Sequence, residues 1–134
     1  MAHCLDIKVR FYELDPYGHL NHSAFVQFFE VGRVELLEEV GLGLDDFSEQ
    51  GYQFVVTNIE TAFERSVVAG DVLTVETEVL EIRRASSRWR QRLTRGGEVV
   101  AHQIVRAAIT DTSGRPVRAP ALVTDRLARY MAAD

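Results

Sequence analysis

Alternation of apolar and polar positions opens the chain as a strand. From Leu5 to Leu14, Ile7, Val9 and Phe11 alternate with Asp6, Lys8 and Arg10, the period-two signature of a half-buried strand. Asp15-Pro16-Tyr17-Gly18 then supplies turn formers, Pro presetting one backbone angle and Gly allowing another. The period changes over Ser23–Val40. There Phe25, Phe28, Phe29, Gly32, Leu36 and Val40 recur at helical spacing, and Val26, Val31, Val34 and Leu37 widen the stripe. A helix apolar over most of its circumference is expected to be largely buried. At 1.5 Å per residue it runs roughly 27 Å, and Gly41 and Gly43 can end it.

Asp45–Gln50 reads as a short helical turn, after which period two returns. Tyr52–Phe63 is rich in Val, Ile, Thr and Phe. Val72–Ile82 puts Leu73, Val75, Thr77 and Val79 on one face and Thr74, Glu76 and Glu78 on the other. Arg88, Arg90 and Arg92 alternate with Trp89, Gln91 and Leu93, and Gly96-Gly97 makes a hairpin turn into Val99–Thr110. Ser113-Gly114 closes that strand, and Pro120 precedes a C-terminal helix, Ala121–Met131. The order is strand, long helix, then four strands with short turns. Such a run makes an antiparallel sheet, with the helix buried on one face: an α+β arrangement. Five antiparallel strands wrapped around a long central helix form the hotdog fold. The edges and the uncovered surface call for a homo-oligomer, a dimer or a tetramer.

Length changes this picture little: 134 residues predict one domain, 1–134. Charge excludes more. A net charge of −5 and a pI near 5.4 make nucleic acid a poor partner, because binding it needs a dominant basic face. One cysteine, Cys4, allows no disulfide within the chain, which fits a reducing cytoplasm. No apolar leader and no run of membrane-spanning length is visible, so neither secretion nor a membrane partner is expected.

The candidate chemistry sits in "ELDPYGHLNHS", Glu13–Ser23. A plain connector needs turn formers, not an Asp, two His and an Asn together. Asn21 or Ser23 can cap the helix that follows. The amides of His22, Ser23 and Ala24 then lie in or near its first turn, where they lack intrahelical partners and the helix dipole adds partial positive charge. This is a ready oxyanion site. Asp15 lies just upstream, where the turn can fold it back as a nucleophile or general base for acyl transfer. His19 is suited to shaping the loop around Asp15. Asp15, His19 and His22 could mimic a metal site, but three ligands in one tight turn without a distant cluster are weak evidence, so no metal is expected. No Gly-x-Ser-x-Gly elbow occurs.

The stretch "RFYELDPYGHLNHSAFVQFFEVGRVELLEEVG", Arg10–Gly41, resembles the 4-hydroxybenzoyl-CoA thioesterase family of hotdog acyl-CoA thioesterases. The residues that carry the likeness are Asp15, Gly18, His19, Asn21, Phe28, Glu30, Arg33, Glu35, Leu36 and Leu37. "AGDVLTVETEVLEI", Ala69–Ile82, resembles the family's Gly-Asp strand entry. The resemblance implies thioester hydrolysis to a free acid and CoA, with Asp15 as the active-site carboxylate and the backbone N–H of His22 as the oxyanion donor. It implies a site shared between two subunits and no cofactor beyond the CoA of the substrate. Where related members often carry Tyr or another aromatic, this chain has His22. Another hotdog branch uses a helix Glu; Glu30 and Glu35 are present, but Asp15 fills the first branch's position.

Given that resemblance, Tyr17, Gly18, Asn21 and Phe25 are expected at the substrate, with an aromatic lining an apolar acyl pocket. Arg88 and Arg90, in the Arg stripe, are expected to meet CoA phosphates, for which the guanidinium fork is suited. Three alternatives stay open. The acyl group can ride on an acyl carrier protein, docked on the Arg stripe. A dehydratase or hydratase would use His19 with Asp15, although neither His-Phe-Pro-Gly nor Asp-x-Asn-Pro-x-His occurs. The chain could also bind acyl thioesters without turnover.

Overall fold

The computed structural model describes residues 1–133. Its elements are β1 (His3–Lys8), α1 (His22–Glu39), α2 (Leu44–Glu49), β2 (Tyr52–Phe63), β3 (Val72–Ile82), β4 (Ser86–Arg95), β5 (Glu98–Asp111) and α3 (Ala121–Leu127). The five strands form one antiparallel sheet in the order β1-β3-β4-β5-β2. The fold is α+β, with the 18-residue α1 laid across one face of the sheet against β1, β3 and β4.

Alternation decides which side chains meet the helix. On β3, Leu73, Val75, Thr77 and Val79 are fully buried, and on β4 Ser87, Trp89, Gln91 and Leu93 turn inward. From α1 they meet Phe25, Phe28, Phe29, Leu36 and Leu37. Gly32 makes the close approach possible: a Cβ there would overlap Val75 Cγ1 and press on Thr77 and Gln91. Gly41, at φ +77°, turns the chain out of α1.

Three expectations are corrected. The opening strand does not run to Leu14. It stops at Lys8, after which the Val9 carbonyl accepts from Gly70 and a single 3-10 turn occupies Phe11–Glu13. Glu13 closes that turn by accepting from the Arg10 amide at 2.7 Å, so Phe11 and Tyr12 project outward, 80% and 69% exposed. The C-terminal helix is likewise shorter, ending at Leu127, with a 3-10 turn over Ala128–Tyr130. And α1 is covered on one side only: Val31 is 41% exposed, although the stripe had included it. No helix among the described residues is long and apolar enough to cross a membrane.

Candidate functional site

The polar turn closes on itself through Asp15. Its amide donates to the His19 carbonyl at 2.7 Å, and its carbonyl accepts from Gly18 at 3.0 Å, with Gly18 at φ +80°. The carboxyl adds two bonds, Oδ1 accepting from the amides of Tyr17 (2.9 Å) and His19 (3.1 Å). One carboxyl oxygen thus fixes the side chain's direction as an Asx turn does. The other, Oδ2, has no protein donor among the described residues.

The turn is pinned to the body at both ends. The Leu20 amide donates to the Val67 carbonyl and the Asn21 amide to the Glu13 carbonyl. Asn21 is the helix cap: its Oδ1 accepts from the Ser23 amide at 2.9 Å and from the Ser23 hydroxyl at 2.8 Å. The amides of Ala24 and Phe25 donate to the Asn21 carbonyl. Of the amides that open α1, His22 alone is left without a protein acceptor among the described residues. An unpaired N–H at the positive end of the helix dipole is suited to a developing oxyanion.

These two features share one groove of about 310 Å³, lined by Asp15, His19, Leu20, His22, Phe25, Phe63, Glu64, Arg65 and Ser66. Phe63 stands edge-on to Phe25, with ring centroids 5.3 Å apart, and edge-on to His22 at 6.5 Å. The residues that carry a free carboxylate oxygen, an unpaired amide and an apolar wall therefore line one groove where α1 begins. Such a site can grip a carbonyl oxygen and attack its carbon while an apolar group lies along the aromatic wall.

The expected residues divide by where the fold puts them. Asp15, His19, His22 and Phe25 line the groove, and Asn21 acts just behind it as the cap. Tyr17 does not line it; it stands 86% exposed on the outside of the turn, beside the exposed Gly18. Arg88 and Arg90 lie on the sheet face turned away from α1, because Trp89 and Gln91 between them point inward. Arg88 pairs with Glu81 at 3.3 Å, Arg90 with Glu78, and Arg92 with Glu76 at 3.5 Å. The structure does not bring the Arg stripe to Asp15. The sequence reading did not single out Phe63, Glu64, Arg65 or Ser66 as groove residues. The end of an aromatic strand running into a charged "ERS" was the available signal, but only the β2–β5 pairing carries that end to α1.

A family model described as the thioesterase-like superfamily matches residues 9–127. The long-chain acyl-CoA thioesterase FadM of Escherichia coli is 33% identical over 104 residues, 74% of this chain and 76% of that protein. The chloroplastic acyl-acyl carrier protein thioesterase ATL3 of Arabidopsis thaliana is 24% identical over 134 residues, 98% of this chain and 70% of that one. Among solved structures, the protein TT1821 of Thermus thermophilus superposes with a TM-score of 0.89 at 27% identity, covering 99% of this chain and 100% of its own. The matched span takes in the polar turn, α1 and the whole of β2 to β5, and on that ground the chain belongs to the thioesterase-like superfamily.

Proposed function

We propose that the chain is a thioester hydrolase acting on acyl-CoA. The observation that carries this reading is the shared groove: Asp15, with one carboxyl oxygen uncommitted, and His22, whose amide lacks a protein acceptor among the described residues, line the same aromatic-walled space. The thioester carbonyl oxygen accepts from the His22 N–H, which, with the helix dipole, stabilises the charge that grows there. Asp15 takes a proton from an attacking water, or its Oδ2 adds to the carbonyl carbon to give an anhydride that water then opens. In either route the C–S bond breaks, the sulfur leaves as the CoA thiolate and is protonated, and the acid is released. His19, donating its amide to Asp15 and lining the groove, supports the geometry. No metal or redox group enters these steps.

The hotdog arrangement and a homo-oligomer complete the proposal. β2 is an edge strand, and Val56, Ile59 and Phe63 on it are 44%, 39% and 48% exposed. Unpaired N–H and C=O groups beside an apolar strip call for a second copy. A partner docked there closes the groove, dries it and strengthens both the amide and the carboxylate. Arg65, which lines the groove and pairs with Glu98 at 3.8 Å with its side chain 63% exposed, suits a substrate phosphate better than Arg88 and Arg90 on the far face of the sheet. The net acidic charge and the single cysteine, Cys4, suit a cytoplasmic enzyme. A carrier-protein thioester is the second reading, favoured by the likeness to ATL3 over 98% of this chain.

A thiol-release assay over short, long and aromatic acyl-CoAs, with matched carrier-protein esters, tests this. Release above the uncatalysed rate by the wild type, lost in Asp15→Asn, is the expected result. No release from any thioester, or undiminished release by the folded variant, overturns it.

A further inference from the structure

A row of polar side chains crosses the buried face of the sheet. Thr77 on β3 pairs with Gln91 on β4, Gln91 with Gln103 on β5, and Gln103 with Thr61 on β2. Thr77, Gln91 and Gln103 are fully buried. The row separates two apolar clusters, one around Phe25, Phe29 and Val75, the other around Leu36, Trp89 and Ile109. Into it α1 lowers Arg33, 9% exposed, whose Nη1 donates to Gln91 Oε1 at 2.8 Å and Gln103 Oε1 at 2.9 Å. Each glutamine is turned to present its oxygen, because its Nε2 donates to a threonine hydroxyl, Thr77 at 2.9 Å or Thr61 at 2.8 Å.

This guanidinium has no ion pair among the described residues. Burial pushes it below its ordinary range, with the nearby Glu30 charge acting the other way. Bridging helix to sheet does not require a charge; well-packed apolar residues do that at least as well. Nor is the guanidinium fully used. Nη1 is committed to the glutamines, while Nε and Nη2 meet no protein acceptor among the described residues. Among the described residues, the side-chain polar atom that is both sealed from solvent and unpartnered is His3 Nδ1, so the free edge of Arg33 is reachable. It opens on a cavity of about 230 Å³ whose walls include Val26, Glu30, Phe54, Ile59 and Trp89. Val26 follows His22 by one helical turn, and Ile59 and Phe63 share the helix-facing side of β2 through their pairing with Val105 and Ala101. The cavity and the Asp15 groove share no lining residue, and both lie between α1 and the helix-facing side of β2.

We propose that Arg33 reads a hydroxyl on the acyl chain, so that the enzyme prefers an oxygenated chain to a plain alkyl one. The free guanidinium edge donates to the hydroxyl oxygen, and the Glu30 carboxylate in the same cavity accepts its proton. A carboxylate at that point would be repelled by Glu30. A buried donor left unpaired by a plain chain penalises that chain. The eleven helical steps from His22 to Arg33 place the hydroxyl about 16 Å beyond the thioester carbonyl, the reach of a chain of roughly a dozen carbons. This inference rests on the thioesterase reading and names the substrate class of that site.

The experiment compares kcat/KM for matched plain and ω-hydroxy acyl-CoAs from octanoyl to tetradecanoyl. The expected result is a preference of about tenfold or more for the hydroxylated ester, peaking at one length. In Arg33→Met the ratio falls to about one, and in Arg33→Lys it is partly restored. A ratio near one at every length in the wild type overturns the proposal and leaves the thioesterase intact. An unchanged ratio in folded Arg33→Met overturns it equally. Trp89, the single tryptophan, lines the cavity, so its emission in the wild type reports binding without turnover. Tighter binding of ω-hydroxydodecanoate than of dodecanoate supports the proposal, and equal binding sinks it. That readout decides even if Arg33→Met does not fold or no acyl-CoA is cleaved.

Discussion

On the outer face of β3 and β4, Arg88, Arg90 and Arg92 face Glu81, Glu78 and Glu76 on the solvent side of the sheet. One residue along the same strand, Gln91 turns inward and helps to hold Arg33 at 9% exposure with no carboxylate bonded to it. The same side-chain type is thus used in opposite ways on the two faces. Outside, water already solvates both partners, and such pairs contribute little. Inside, a charge is held by neutral dipoles at the edge of a cavity, where every uncommitted donor matters. The Asp15 turn, the β2 apolar strip and the Arg33 cavity all lie on the helix side of the sheet. The chemistry, recognition and assembly proposed for the chain all fall on one face, and the other is a solvated ladder.

That contrast can be broken by substitution. The largest effect is expected at the groove: Asp15→Asn keeps the turn's acceptor oxygen but removes the charge, and should lower kcat by about a hundredfold or more, with a normal unfolding curve. Next, Ile59→Glu puts a charge on the inward edge of β2. Sedimentation should show the wild type as an oligomer and the variant as a monomer with little activity; a wild-type monomer would remove the edge from the site. Third, Gly32→Ala drives a methyl into Val75 and the polar row. Denaturant unfolding should show a loss of about 1–3 kcal/mol. Smallest is the outer face. Arg90→Ala should change stability by about 0.5 kcal/mol or less and leave turnover alone; a clear loss of acyl-CoA affinity there would restore the Arg stripe as a phosphate contact.

Much of the site was legible because it is local. Asn21 caps the helix, Asp15 folds the turn, and the His22 amide is left over, all within a span where spacing dictates geometry. The bounds of β2 and β3 also follow from alternation. Alternation misled at the end of β1, where Glu13 captures the Arg10 amide and carries Phe11 out of the sheet. It also marked the Arg stripe as one face without showing that glutamates on β3 stand opposite it. Phe63, Glu64 and Ser66 were missed because strand register, not local spacing, brings the end of β2 to the start of α1. For Arg33 the helix position gave only an i, i+3 neighbour, Glu30. Its partners are 58 and 70 residues away.

By itself, the sequence determined the antiparallel strands, the buried helix and the polar turn that precedes it, since period, caps and turn residues act over a few positions. The antiparallel register of four strands decided the rest. It aligned Thr77, Gln91, Gln103 and Thr61 into one row under Arg33 and set Phe63 against His22. Hydrogen-bonded pairing fixes which distant residues become neighbours, and that information is carried by no single segment.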